Sequence, residues 1–143
     1  MVERGAADLS IGWSTQDITP GGPVELQGQY YQRLSKGVRD PVTVAALALE
    51  RRNGAAPPEQ AVMASVDIVG VTRDFQDEVR GLVAQRIEGL DPANVFLHAT
   101  HIHSGPSYQP SFRWWQPDPR ALRSEAIKDL LLERTVRAVE EAW

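Results

Sequence analysis

A chain of 143 residues that is 42% hydrophobic can bury roughly two-thirds of the surface its unfolded form exposes, so one domain is the natural count. Fifteen basic residues against nineteen acidic ones give a formal net charge of −4 without a long block of either sign, which excludes the basic footprint of a nucleic-acid binder. With no cysteine there is neither a disulfide framework nor thiol chemistry, and no window approaches the roughly eighteen apolar residues of a membrane span. Met1 to Ser10 lacks a basic start followed by an apolar stretch, so a cytoplasmic location is the default, and secretion is the alternative if an export signal has been removed.

Leu9 to Ser14 reads as a first strand, broken by Thr19-Pro20-Gly21-Gly22-Pro23. Val24 to Tyr30 reads as a second extended piece, with Tyr30 and Tyr31 as packing residues. Val42 to Arg51 and Gln60 to Ile68 are apolar runs joined by Asn53-Gly54-Ala55-Ala56-Pro57-Pro58, the composition of a hairpin loop. The alanines of the first run would also suit a helix, but its β-branched residues and its start at Pro41 favour strand.

Thr72 to Leu90 has the clearest helical pattern. Phe75, Val79, Leu82, Val83, Ile87 and Leu90 recur at helical spacing, and Thr72 can cap the start. Asp74, Asp77 and Glu78 fall in the positively polarised early turns, and Gly89 suits the end. Gly81 inside the pattern costs about 1 kcal/mol against Ala and is read as a close packing contact. Val95 to Pro106 is an apolar strand that opens into a polar loop. Asp118-Pro119 has the wording of an N-cap followed by Pro at the first helical position. A closing helix is therefore expected over Arg120 to Trp143, with Ala126, Leu130, Leu131, Ala138 and Val139 turned inward. Strands alternating with helices, without a repeat, predict an α/β fold: a mixed β-sheet with packed helices.

The chemistry concentrates in His98-Ala99-Thr100-His101-Ile102-His103-Ser104-Gly105-Pro106, which holds all three histidines at the carboxyl end of a strand, where open α/β sheets keep their ligand sites. Side chains two apart on an extended segment point the same way, so His101 and His103 converge while His98 faces the other side. Two neutral imidazoles are half of a zinc site, which in hydrolytic enzymes takes three protein ligands and keeps a position open. The alternative is a pair of hydrogen-bonded loop histidines with no further role.

Asp67, a carboxylate closing an apolar strand, is costly there unless paired or near a metal, so it is a candidate to support or line a pocket near His101. It could equally cap a loop by accepting from backbone amides. Phe112-Arg113-Trp114-Trp115 beside the loop could be a lid or an apolar rim for an acyl chain, or a surface that further chain would cover. Arg33, Lys36 and Arg39 could hold an anionic group or belong to a solvated loop.

Four segments resemble the neutral/alkaline ceramidase family in the same order. Ala99-Thr100-His101-Ile102-His103-Ser104-Gly105-Pro106 is similar to that family's Ala-Thr-His-Thr-His-Ser-Gly-Pro. Ile11 to Pro20 resembles its opening strand and turn, Gly37-Val38-Arg39-Asp40-Pro41 with Val42 to Glu50 its second, and Val62 to Asp67 the strand that ends in Asp before a long helix. Ile102, Arg39 and Ser107 depart from the pattern, where the family has Thr, often His, and Gly.

The resemblance implies a zinc amidohydrolase scaffold in which a zinc-activated water hydrolyses an N-acyl amide. It implies that His101 is a zinc ligand and that His103 lines the active site beside the metal in a catalytic role. Further His, Glu and Tyr ligands lie well downstream in family members, whereas no histidine follows His103 here. Residues 1–143 are therefore expected to be the N-terminal portion of a ceramidase-like domain, inactive alone, whose site the remainder of the enzyme or a partner chain completes. The substrate would be a small-molecule or lipid amide. The alternative is a non-catalytic domain that kept the scaffold for an interaction role. The metallo-β-lactamase pattern fails, because Gly105 and Pro106 stand where its Asp and third His belong, and barrel amidohydrolases need a longer chain.

Overall fold

Alternation of small apolar residues builds the sheet. In a computed structural model, which describes residues 8–109 and 115–143, strands β1 (Asp8–Asp17), β2 (Thr43–Arg52), β3 (Glu59–Val66) and β4 (Val95–Ala99) form one sheet in that order. β1, β2 and β3 pair antiparallel, and β4 pairs parallel to β3. The parallel pair needs a crossover, which helix α1 (Arg73–Arg86) and a short 3₁₀ turn at Pro92–Asn94 supply. Helix α2 (Ser124–Ala142) closes the described chain. The fold is thus the mixed α/β sheet with packed helices that the pattern predicts.

Every second residue enters the core. Val44, Ala46 and Ala48 of β2 register with Val66, Ala64 and Val62 of β3, and Val62 with Val95 of β4, placing all seven on one face. That face is buried against Phe75, Val79 and Val83 of α1 and Ile127, Leu131 and Val139 of α2. α2 lies so close to β1 that a Cβ at Gly12 would overlap the Ala142 carbonyl. Ser14 and Gln16, on the same face of β1, donate to Glu141 at 2.9 and 2.6 Å. On the opposite face the register aligns Trp13, Leu47, Met63 and Phe96 in one row, of which Trp13, Met63 and Phe96 are exposed.

Several local expectations change in three dimensions. Val24 to Tyr30 is not a strand: Glu25 and Leu26 make only single bridges, to Leu34 and Pro106, and Gly28 turns the chain at φ +98°. Tyr30 and Tyr31 are exposed rather than packed, because this segment leaves the core. α1 begins at its Thr72 cap, whose hydroxyl accepts from Phe75 N, but ends at Arg86 because Ile87 is extended. Ile87 and Leu90 are still buried, so their apolar character serves the turn that follows, where Gly89 has φ +80°. Gly81 faces open space, with nothing within 4 Å of a Cβ built there, and marks no packing contact.

α2 starts at Ser124, not Arg120. Asp118 caps its own turn, accepting from Arg120 N at 2.9 Å, while Ala121 N donates to the Asp118 carbonyl. The Arg120 guanidinium and amide hold the Asp118 carboxyl down at about 2. Ala126 is exposed and Leu130 half-buried; the inward stripe runs through Ile127, Leu131, Thr135, Val136, Ala138, Val139 and Ala142.

Candidate functional site

Because β3 and β4 are parallel, their carboxyl ends open on the same edge of the sheet. Pairing continues past both: Thr100 N donates to Val66 O at 2.9 Å, and His101 N to Ile68 O at 3.0 Å. His101 then turns into the left-handed region at φ +63°, a conformation that costs a non-glycine residue about 1–3 kcal/mol and persists only where the surroundings enforce it. Here the enforcement is visible, since the ring Nδ1 also lies 2.6 Å from the Val69 carbonyl. A carbonyl oxygen only accepts, so Nδ1 is the donor in this contact, which leaves Nε2 as the ring nitrogen that a metal would use.

His103 meets this ring edge-on, with centroids 5.0 Å apart and planes at 68°. The two histidines therefore converge. His98 lies on the exposed sheet face, in register with Ser65. Among the described residues no group of three or more His, Cys, Asp or Glu that could hold a metal ion gathers.

A hairpin-like strap over residues 24–35 forms the second wall. Gln27 N donates to Gly105 O at 3.3 Å and Ser107 N to Glu25 O at 2.8 Å, with Leu26 bridged to Pro106. The Gly28 backbone lies against the His103 ring so closely that a Cβ would overlap it, and the Arg33 guanidinium donates to the His103 carbonyl at 2.8 Å. The buried Glu25 carboxylate accepts from Gln32 Nε2 and Asp118 N, both at 2.8 Å, and so ties the strap to the approach of α2. Tyr108 anchors the far end: its buried hydroxyl donates to Gly70 O at 3.0 Å and accepts from Thr72 N at 3.1 Å, and its ring packs on Phe75. Gly28, Glu25 and Tyr108 escape a sequence reading because their partners are remote in the chain; the one local hint is a glycine at an apolar position of the alternating Val24 to Tyr30 segment.

Asp67 is half-buried and fully engaged. Its Oδ2 accepts from Thr43 N at 2.9 Å and Thr43 Oγ1 at 3.1 Å, and its Oδ1 from Thr100 Oγ1 at 3.0 Å. It joins the start of β2 to the end of β4, one residue before the carbonyl that orients the His101 backbone. Asp67 also lines a cleft of about 1020 Å³ together with Val24, Arg33, Ile102, Ser104 and Pro106. Ile102 and Ser104 line that cleft, whereas His101 and His103 do not. Of the three basic residues considered for an anion, Arg33 is engaged with the loop carbonyl, while Lys36 and Arg39 are exposed. Phe112, Arg113 and Trp114 of the aromatic cluster lie outside the described residues.

The arrangement defines an α/β unit with a paired-histidine loop at the carboxyl edge of its parallel strands. No protein-family model matches the chain, and no curated protein does. Among solved structures it is similar to neutral ceramidase from Pseudomonas aeruginosa, with a TM-score of 0.73 and 22% identity over 96% of this chain and 22% of that one. It is also similar to a ceramidase complexed with C2, with a TM-score of 0.69 and 23% identity over 94% of this chain and 21% of that one. The chain thus spans about a fifth of the length of these structures and has the fold of the matching part. The ceramidase resemblance carried by the four sequence segments is borne out in the fold. Among the described residues no helix is long and apolar enough to cross a membrane.

Proposed function

We propose that this chain is the N-terminal portion of a ceramidase-like amidohydrolase domain and supplies His101 as a zinc ligand and His103 as a group acting on an N-acyl amide. The observation that supports this reading is the state of His101: held in a strained backbone conformation, with its Nδ1 committed to the Val69 carbonyl, so that Nε2 is the nitrogen left to a metal. Zinc bound there supplies Lewis acidity and lowers the pKa of water to about 7. His103, in ring contact with His101, is placed to hold or move a proton at the amide. Asp67 would act from behind, fixing Thr43 and Thr100 so that the His101 turn cannot relax. The remaining ligands come from further chain or a partner, and the substrate is a small-molecule or lipid amide.

The test is zinc content by mass spectrometry on this chain joined to the remainder of its domain and purified without chelator, beside His101→Ala and Asp67→Asn in the same protein. Zinc near one per chain, lost in His101→Ala and bound about tenfold more weakly in Asp67→Asn, supports the proposal. Zinc retained in His101→Ala overturns it for that residue, and unchanged affinity in Asp67→Asn leaves Asp67 as a loop cap. A second reading, a domain that kept the scaffold without the site, is favoured by the two-histidine donor set. It would prevail if that longer protein held no zinc.

A further inference from the structure

The two histidines are held by separate parts of the molecule. His101 is fixed from the β3 side, through Ile68 O to its amide and Val69 O to its ring. His103 has its contacts on the strap. The outgoing arm zips onto Gly105 and Ser107, the turn presses the bare backbone of Gly28 against the His103 ring, and the returning arm brings Arg33 to the His103 carbonyl. The arms are themselves joined, Leu26 N to Arg33 O and Ser35 N to Val24 O, both at 2.9 Å. Arg33 thus sits where the strap can transmit its position to His103.

We propose that Arg33 is a positioning residue for His103, holding the loop carbonyl so that the imidazole stays clamped between Gly28 and the His101 ring. The role rests on the reading of the histidine pair as the reactive site, but its mechanics do not require metal. A guanidinium donating to a neutral carbonyl makes a charge-assisted bond that a shorter or uncharged side chain reproduces partly or not at all. The Gly28 contact demands an ordered ring, because there is no side chain to follow His103 if it swings away. For Arg33 the sequence leaves anion binding and a solvated loop as alternatives; here that cation serves the protein's own loop.

The experiment is nuclear magnetic resonance on zinc-free protein with isotope-labelled histidine, comparing the full chain with Arg33→Met and Arg33→Lys. The expected result is a single His103 side-chain conformer in the parent, averaging over several in Arg33→Met, and partial recovery in Arg33→Lys, while His101 side-chain couplings stay those of a single conformer throughout. His103 couplings unchanged in Arg33→Met would overturn the proposal. Both histidines loosening together, or loss of helical circular dichroism in Arg33→Met, would overturn it too, by making Arg33 a residue of the fold rather than of His103. The expected pattern without any zinc uptake would leave the positioning role standing and count against the metal reading alone.

Discussion

Gly12 and Trp13 are adjacent in β1 and face opposite sides of the sheet. Gly12 meets the carbonyl of Ala142 with no room for a methyl group, whereas Trp13 is 67% exposed at the end of a row with Leu47, Met63 and Phe96. The helix-covered face is built from small and β-branched residues packed to contact. The other face carries larger apolar side chains that nothing among the described residues covers. Hydrophobicity alone does not distinguish the two, and a mutation's consequence depends on which face it strikes rather than on how apolar the residue is.

That contrast can be broken or sharpened by substitution. Phe75→Ala, at a fully buried ring packed on Tyr108, should cost about 3–5 kcal/mol in chemical denaturation, the largest effect expected. Gly12→Ala should cost about 1–3 kcal/mol, because either α2 or β1 must move, and should lower the melting temperature accordingly. Its neighbour supplies the control: Trp13→Thr should change stability by no more than about 0.5 kcal/mol while reducing self-association in light scattering. A loss in Trp13→Thr as large as that in Phe75→Ala would show that the outer face is packed in solution and would end the contrast.

The smallest effect concerns acid. Arg137 donates to Glu141, and Ser14 and Gln16 add their hydrogen bonds, so its carboxyl lies below the ordinary 4.5. A carboxylate depressed on folding contributes stability that is fully present above the unfolded value and is lost as pH falls through the lower folded one. Glu141→Gln should therefore lower melting slightly near neutral pH, where the contribution is fully present, and flatten its decline below pH 4.5 until the two proteins converge in acid, which thermal scans across that range would detect. An unaltered decline would mean that the α2 to β1 contact owes nothing to this carboxylate.

Much of this was local and therefore readable. The period-two runs of β2 and β3 share a short connection, and the pattern Phe75, Val79, Val83 behind a Thr72 cap needs only its own turns to be a helix. His101 and His103 are close because the chain makes them so, which is why the site's centre was legible before its walls were.

The sequence by itself determined the alternation of strands and helices and the covered face of α1, which follow from periods of two and 3.6 residues, and the histidine pair, whose members lie two positions apart in the chain. Only the tertiary structure decided that residues 24–35 are a strap and not a strand. Their partners are in another part of the chain, with Arg33 and His103 separated by 70 positions and Glu25 and Asp118 by 93. It also moved the start of α2 from Arg120 to Ser124: Asp118 caps a single turn by accepting from Arg120 N, but Leu122 N then donates to Pro23 O at 2.8 Å instead of back to Asp118.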